Sequence, residues 1–166
     1  AILQNELFSI RAVNFSGYGA SFVYLDENAA LIAPLYNYLK PFSPELQKQF
    51  YGTYGGESKI SKETASPVLG NLNAGMQLYR LKYEKPDLFA KIKFALHLPQ
   101  YLSYVLTGTL NADITSIGCH TNLWDFQSKK YHHWVTKEGI DEKFPPINSF
   151  DAIAGYVHQT IPVGIG

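Results

Sequence analysis

The stretch NLNAGMQLYRLKYEKPDLFAKIKFALHLPQYLSYVLTG, residues 71–108, carries the most regular pattern in the chain. Apolar side chains recur in it at helical spacing, which gives one stripe made of Leu72, Met76, Tyr79 and Tyr83. Pro86 and Pro99 suit the first turns of two further helices, because a first turn leaves N–H groups unpaired and proline has none. Gly108 is typical of a helix end. The stretch therefore predicts three successive helices.

Three segments upstream, residues 10–15, 20–25 and 31–35, are rich in apolar, β-branched and aromatic side chains. Turn residues separate them, and Gly17-Tyr18-Gly19 forms the centre of the first turn. The run predicts a strand, a loop, a second strand, a turn and a third strand.

The remaining segments are less regular. Residues 1–8 have helical spacing, and residues 40–70 combine prolines, glycines and tyrosines, which predicts an irregular insertion lying over a site. Residues 113–120 predict a short helix entered through an acidic cap, residues 131–137 another helix, and residues 160–163 a final strand. A strand-rich start, a helical middle and a final strand indicate an α/β or α+β class.

Composition excludes several classes of function. Apolar residues make up 46% and charged residues 17%, a globular balance. Lys plus Arg and Asp plus Glu number 14 each, so no basic excess favours a nucleic-acid partner. No apolar run is long enough to predict a membrane partner or span. The single cysteine, Cys119, excludes an internal disulfide framework and fits a cytoplasmic location.

The Gly17-Tyr18-Gly19 turn is the first candidate site. Glycine lets a ligand approach the backbone closely, and tyrosine offers a ring and a hydroxyl. The spacing of the two glycines is equally compatible with an ordinary tight turn. The loop lacks the GxxxxGK[ST] pattern of a phosphate cradle.

Other constellations predict no chemistry. His132 and His133 are adjacent and cannot point at one metal ion from a helix, so surface histidines are the favoured interpretation. Adjacency also disfavours a thiolate–imidazole pair between Cys119 and His120. Ser16 lacks the preceding glycine of a nucleophile elbow. No spacing pairs carboxylates for acid–base work among Asp113, Asp125 and Glu138.

Three stretches resemble the N-terminal domain of the FGGY carbohydrate kinase family, especially its rhamnulokinase and L-fuculokinase-like branch. Residues 13–26 (VNFSGYGASFVYLD) resemble its strand, sugar-site loop and strand, with Tyr18-Gly19 where a His-Gly or Trp-Gly pair is commoner. Residues 71–108 match its long helix and L-x-x-P-x-Y-L-x-Y-x-L-T-G run. Residues 112–126 (ADITSIGCHTNLWDF) resemble its helix-opening segment; Ser116, Gly118 and Cys119 stand where Thr, Ala and Ser are usual.

The resemblance implies an actin-like ATPase, or ribonuclease H-like, domain with a mixed sheet flanked by helices. It implies a sugar kinase that uses ATP and Mg²⁺, in which an aspartate deprotonates the attacking sugar hydroxyl. That aspartate is expected beyond Gly166, so no catalytic residue is expected in residues 1–166. We expect these residues to be an incomplete N-terminal, sugar-binding domain without the ATP-binding domain. Alone, the chain should bind no cofactor and have no kinase activity.

The resemblance also implies which residues bind the substrate, a ketose or related sugar. They are Gly17, Tyr18 and Gly19, then Asn71 and Asn73, with Gln77 as a weaker candidate. Helix capping is the alternative role for the two asparagines.

Two other functions stay open, a non-catalytic carbohydrate-binding module and a structural or regulatory actin-like domain. The expected partner is a small-molecule sugar, and homodimer formation is left open. Rhamnulose, fuculose and xylulose kinases share the helices of residues 71–108, so the sequence does not select the sugar.

Overall fold

A computed structural model describes residues 7–166. Its helices are α1 (Pro44–Tyr54), α2 (Glu57–Thr64), α3 (Ala74–Glu84), α4 (Pro86–Lys91), α5 (Leu98–Thr107), α6 (Ile114–Gly118) and α7 (His133–Lys137). Its strands are β1 (Phe22–Leu25), β2 (Phe94–His97), β3 (Ala112–Asp113), β4 (Trp124–Asp125), β5 (Lys130–Tyr131), β6 (Ile147–Asn148), β7 (Ile153–Val157) and β8 (Ile161–Gly164). Short 3-10 turns lie at Gly70–Leu72 and Asp141–Lys143. The α/β class is confirmed.

The strands pair two by two. β1 with β2, β4 with β5 and β7 with β8 are antiparallel, whereas β3 with β6 is parallel. Both pairing directions occur, as a mixed sheet requires, but the strands within residues 7–166 form four separate two-stranded sheets. The strands are two to five residues long, so each ladder is short.

Two of the predicted strands are reduced to single bridges. In residues 10–15 only Val13 pairs, in parallel with Val163 of β8. In residues 31–35 only Leu31 pairs, with Leu25. Pro34 lacks an N–H to continue that ladder. The expectation of a helix over residues 1–8 lies mostly outside the described residues.

The expectation of an irregular segment at residues 40–70 is wrong, because α1 and α2 fill most of it. Ser43 caps α1 by accepting a hydrogen bond from Leu46 N over 3.2 Å, and Pro44 occupies the first turn. Gly55 ends the helix with a left-handed φ of 98°. Proline and glycine therefore mark helix ends here and not an irregular segment. Whether the segment is an insertion stays a prediction.

The helices predicted between residues 71 and 120 are confirmed. α3, α4 and α5 lie in the predicted order, and Gly108 ends α5 with a φ of 73°. Asp113 caps α6, as its acidic side chain predicted. β2, which pairs with β1 and leads directly into α5, was not predicted.

The core lies between α1, α3 and α7. The rings of Phe50, Tyr79 and Trp134 pack edge to face, with the centroid of Phe50 5.0 Å from each of the other two. The Trp134 indole donates a 2.7 Å hydrogen bond to the carbonyl oxygen of Asn122. This buried aromatic cluster fixes the three helices relative to one another.

The interpretation of both adjacent histidines as surface residues is wrong for His132. It is buried, its Nε2 lies 2.8 Å from Glu63 Oε2, and its Nδ1 accepts a hydrogen bond from Trp134 N. His132 precedes α7 and points inward, whereas His133 is exposed. Because Glu63 comes from α2, sequence spacing gives no sign of this pair.

Within residues 7–166, no helix is both long and apolar enough to cross a membrane.

Candidate functional site

A cavity of about 360 Å³ opens where five segments of the chain meet. These segments are the loop after the Val13 bridge, the turn before α3, the first turn of α5, α6 with the residues after it, and the residues after β8. The lining residues are Phe15, Ser16, Gly17, Gly19, Ala20, Leu69, Leu72, Pro99, Thr115, Ser116, Cys119, His120 and Gly166. The set has no Asp, Glu, Lys or Arg side chain, so its polar groups are hydroxyls, a thiol, one imidazole and backbone.

The glycine loop forms one side of this cavity. A β-carbon on Gly17 would lie 3.5 Å from Leu98, and one on Gly19 would meet no atom within 4 Å. The space beside Gly19 is therefore open. Tyr18 lies on the same loop, but its side chain is 69% exposed and does not line the cavity.

Asp113 organises another side of the cavity. Its Oδ1 accepts hydrogen bonds from Thr115 N at 2.6 Å, from the Thr115 hydroxyl, and from Ser116 N at 3.0 Å. Its Oδ2 accepts one from Gln100 Nε2 at 2.5 Å. Asp113 is buried, and these donors satisfy its carboxylate. The carboxylate therefore sets the positions of two hydroxyl side chains that line the cavity.

Helix α5 holds the end of the final strand beside the cavity. Gln100 Nε2 also donates to Ser116 Oγ and to the carbonyl oxygen of Gly166, both over 2.9 Å. Ser103 Oγ donates to the carbonyl oxygen of Gly164 over 2.8 Å. Gly166 approaches so closely that a β-carbon would lie 2.7 Å from the Pro99 backbone.

The side chains of Asn71, Asn73 and Gln77 do not line the cavity. Asn71 Nδ2 donates to the Lys40 carbonyl at 2.9 Å, and Gln77 Nε2 donates to the Ala20 and Asn71 carbonyls, each at 2.7 Å. All three side chains are buried, and none lines the cavity. Their amides join backbone segments around it, and the prediction that they bind sugar directly stays a prediction.

Asn73 occupies the position before α3, but its side chain does not cap that helix. Its Oδ1 accepts from Leu69 N at 2.7 Å, and its Nδ2 donates to the carbonyls of Pro67 and His120. Asn73 thus occupies the N-cap position, which is one of its two predicted roles, but its side-chain amide binds these three backbone groups and does not cap α3. Asn71 lies within the 3-10 turn before α3 and not at the α3 cap.

Behind the cavity, His97 is buried at the start of α5, with its ring 4.4 Å from that of Phe22. Burial lowers its pKa to about 4, and the charge of Asp113 offsets only part of that effect. The imidazole is therefore neutral at physiological pH, and its Nε2 makes no hydrogen bond to any group of residues 7–166.

Cys119 and His120 are both exposed and both line the cavity. The His120 Nδ1 lies 3.3 Å from the Ala65 carbonyl oxygen, so the ring is held by the end of α2 and not by the neighbouring thiol. This geometry gives no support to a thiolate–imidazole pair.

A family model, the N-terminal domain of the FGGY family of carbohydrate kinases, matches residues 2–166. The chain belongs to this family. The FGGY resemblance of its three motifs is thereby confirmed across nearly the whole sequence.

Curated relatives agree with this assignment. The chain is 27% identical over 147 residues to a rhamnulokinase of Yersinia pestis (strain Pestoides F), covering 82% of the chain and 30% of the relative. It is 26% identical over 142 residues to the rhamnulokinase of Mannheimia succiniciproducens, covering 75% and 29%. The chain thus spans about a third of the length of these relatives.

Solved structures share the fold. A carbohydrate kinase from Novosphingobium aromaticivorans superimposes with a TM-score of 0.82 at 22% identity, covering 96% of this chain and 36% of that one. A ligand-bound xylulose kinase from Lactobacillus acidophilus gives 0.79 at 17% identity, covering 96% and 34%. Plasmodium falciparum glycerol kinase with ADP gives 0.78 at 17% identity, covering 94% and 33%. The FGGY chain therefore has the expected actin-like ATPase fold, as part of that domain.

Sequence reasoning found part of the cavity lining. Gly17 and Gly19 line it as predicted, but Thr115, Ser116 and His120 were not predicted to do so. The signal was present in the ADITSIGCHTNLWDF motif, where hydroxyl residues come shortly after a capping aspartate. What no local pattern shows is that this motif and the glycine loop face one cavity.

Proposed function

We propose that this chain forms the sugar-binding side of an ATP-dependent sugar kinase that phosphorylates a ketose or related sugar. The observation that carries the proposal is the chemistry of the cavity. Its lining combines open backbone at Gly19 with the hydroxyls of Ser16, Thr115 and Ser116, and lacks carboxylate, ammonium and guanidinium groups. Such a lining suits an uncharged ligand rich in hydroxyls.

The cavity also has apolar surface for the carbon face of a sugar. Leu69 and Leu72 line it, and their side chains are 41% and 37% exposed. A sugar presents C–H groups on one face and hydroxyls at its edge, so a mixed lining is complementary to it. Relatives that carry the name rhamnulokinase support a ketose as the substrate.

In this proposal, ATP and Mg²⁺ are bound by a longer protein that contains this segment. Residues 7–166 contain no group of three His, Cys, Asp or Glu side chains arranged to hold a metal ion. The proposed general base is an aspartate that comes after Gly166. The position of Gly166 supports this, because Gln100 holds the Gly166 carbonyl at the cavity. A residue attached to that carbonyl would lie beside a sugar bound in the cavity.

The family relationship favours a kinase over the structural actin-like alternative. The carbohydrate-binding alternative differs from the kinase in the fate of the bound sugar, since a binding module would hold sugar without consuming ATP. A reducing, cytoplasmic setting is part of the proposal, because Cys119 is free and exposed. Homodimer formation stays a prediction.

The decisive experiment is a phosphorylation assay of the longer protein with ATP and Mg²⁺. The panel contains rhamnulose, xylulose, glycerol and gluconate, and ADP release is the readout. We expect turnover with a ketose and little with gluconate, because the cavity lining offers no cation for a carboxylate. A protein that turns over none of the neutral sugars contradicts the proposal.

The 166-residue chain provides a second test, through its only cysteine. Cys119 lines the cavity, so a bound sugar should slow its alkylation by iodoacetamide. The chain alone should release no ADP from ATP and sugar. If sugar protects Cys119 from alkylation but the longer protein shows no turnover, the carbohydrate-binding module is favoured instead.

A further inference from the structure

We infer that Thr115 and Ser116 bind two neighbouring hydroxyls of the sugar, Thr115 only as a hydrogen-bond acceptor and Ser116 as a donor. This inference rests on the proposed sugar-binding function of the cavity and assigns specificity within it. Gln100 and Asp113 act behind them as positioning residues.

The role of Thr115 depends on its partner. The Thr115 hydroxyl donates its only hydrogen to Asp113 Oδ1, which also accepts from Thr115 N. A threonine hydroxyl has one hydrogen and two lone pairs. With the hydrogen taken by a buried carboxylate, Thr115 Oγ1 has only lone pairs to offer a ligand. A group in the cavity must therefore donate to it.

The role of Ser116 is the opposite. Ser116 Oγ accepts a hydrogen bond from Gln100 Nε2 over 2.9 Å. Among residues 7–166 no hydrogen bond takes up the hydrogen of the Ser116 hydroxyl. That hydrogen is available to a ligand acceptor in the cavity that Ser116 lines.

The orientation of the Gln100 amide excludes the reverse arrangement. Its nitrogen faces Asp113 Oδ2 at 2.5 Å and the Gly166 carbonyl oxygen at 2.9 Å, and both oxygens are acceptors only. A flipped amide would place Oε1 against these two oxygens, which is unfavourable. Gln100 is 1% exposed, so solvent cannot relieve such a contact. The nitrogen has two hydrogens for three acceptors, so Ser116 Oγ shares one of them with another oxygen. An amide nitrogen offers no lone pair, so Ser116 cannot donate its own hydrogen to it.

An acceptor-only hydroxyl at Thr115 beside a hydroxyl with a free hydrogen at Ser116 matches the chemistry of a sugar. Each sugar hydroxyl both donates and accepts, so one hydroxyl donates to Thr115 Oγ1 while its neighbour accepts from Ser116. A ligand with only acceptors at these positions, such as a carboxylate, satisfies Ser116 and leaves Thr115 facing a lone pair. The pair thus selects neutral polyols.

The test uses Thr115→Val and Ser116→Ala in the longer protein, with Ser58→Ala as the matched control on the exposed face of α2. The best ketose of the panel is the probe, together with its monodeoxy analogues. We expect each cavity variant to raise KM about ten-fold, the loss of one hydrogen bond to a ligand. Thr115→Ser should restore the value, because it keeps the hydroxyl.

The analogues separate binding from structure. With the wild-type protein, the KM of one monodeoxy sugar should be about ten-fold higher than that of the parent sugar. With Ser116→Ala the two KM values should be equal, because the variant has already lost the same hydrogen bond. A KM within about two-fold of that of Ser58→Ala would overturn the inference and leave the kinase proposal intact. The inference would also be overturned if each analogue raised KM by the same factor in the wild-type protein and in the variant. A wild-type protein that neither turns over sugar nor shows sugar protection of Cys119 overturns the proposed function itself.

Discussion

The side-chain amide of Gln100 donates a 2.9 Å hydrogen bond to the main-chain carbonyl oxygen of Gly166. The same nitrogen reaches Asp113 Oδ2 at 2.5 Å and Ser116 Oγ at 2.9 Å. One buried side chain on α5 therefore joins the end of the last strand to the helix that presents Thr115 and Ser116. The shape of the cavity depends on this connection.

Replacing Gln100 by leucine should lower the free energy of unfolding by about 2 kcal/mol, because the Asp113 carboxylate, the Ser116 hydroxyl and the Gly166 carbonyl all lose a donor. Urea unfolding measures the loss. Gln127→Leu, at an exposed position, is the control and should stay within about 0.5 kcal/mol of wild type. Equal stability of the two variants would show that the Gln100 amide contributes little.

Gly19→Ala should weaken sugar binding without weakening the fold. A β-carbon there meets none of the described atoms within 4 Å, so the methyl group enters open space at a residue that lines the cavity. We expect a several-fold rise in KM and an unchanged urea midpoint. If the KM is unchanged, the sugar does not occupy the space beside Gly19.

Tyr18→Ala tests the remaining member of the predicted loop. The prediction from the sequence is a higher KM for the sugar or loss of turnover. Tyr18 is 69% exposed and outside the cavity lining, so Tyr156→Ala, 54% exposed on β7, is a fair control. Kinetics equal to those of the control would remove Tyr18 from the site.

Stability should fall in mildly acidic solution because of His97. Its pKa in the folded chain is about 4, below the ordinary value of 6.5, so the unfolded chain takes up the proton first as pH falls. Between pH 7.5 and pH 5 this costs about 2 kcal/mol of the free energy of unfolding. Urea unfolding at both pH values measures it.

His97→Leu should reduce that pH dependence by about the same 2 kcal/mol, whatever its effect on stability at neutral pH. His158→Leu, at an exposed position, is the matched control. A His97→Leu variant with the wild-type difference between the two pH values would show that His97 is not the group responsible.

Two helical glycines should respond to alanine with opposite signs. Gly52 lies inside α1, and a β-carbon there meets nothing within 4 Å, so Gly52→Ala should stabilise by about 0.5–1 kcal/mol. At Gly75 in α3, a β-carbon would lie 2.6 Å from the Thr121 carbonyl oxygen, so Gly75→Ala should destabilise. Thermal unfolding of both variants measures the signs. A stabilising Gly75→Ala would contradict the close packing of α3 against Thr121, and a destabilising Gly52→Ala would contradict the open surroundings of Gly52.

Lys82→Met should destabilise the chain by about 2 kcal/mol at neutral pH. Lys82 Nζ lies 2.7 Å from Glu138 Oε2, and Tyr54 donates to the same carboxylate. Burial opposes ionisation of Glu138, but the hydrogen bonds from Lys82 and Tyr54 outweigh it and hold its pKa below the ordinary value.

The sign of the pH effect depends on that lowered pKa. The stabilisation is present at neutral pH and is lost as pH falls through the folded-state pKa, so the deficit of Lys82→Met should be smaller at a pH below the ordinary carboxyl value of 4.5 than at neutral pH. Lys48→Met, on the exposed side of α1, is the control for urea unfolding at both pH values. A deficit independent of pH would mean that packing, and not the ion pair, accounts for the loss.

Features that depend on a few neighbouring residues could be predicted from the sequence alone. Asp113 caps α6 and Gly108 ends α5, because these interactions involve groups within one helical turn. The same local logic fails for residues 40–70, where Pro44 and Gly55 mark the ends of a helix and not an irregular segment. The family resemblance and the glycine loop could also be recognised from motifs within short segments of the sequence.

Only the packed tertiary structure shows which of these pieces meet. Gly19, Thr115 and Gly166 line one cavity only because the pairing of β1 with β2, the Val13 bridge and the Gln100 amide bring distant segments together. The amides of Asn71 and Asn73 bind backbone that lies far away in sequence, so their spacing could not reveal their partners. Side-chain hydrogen bonds between distant segments depend on the packed geometry, and no pattern within a single segment specifies it.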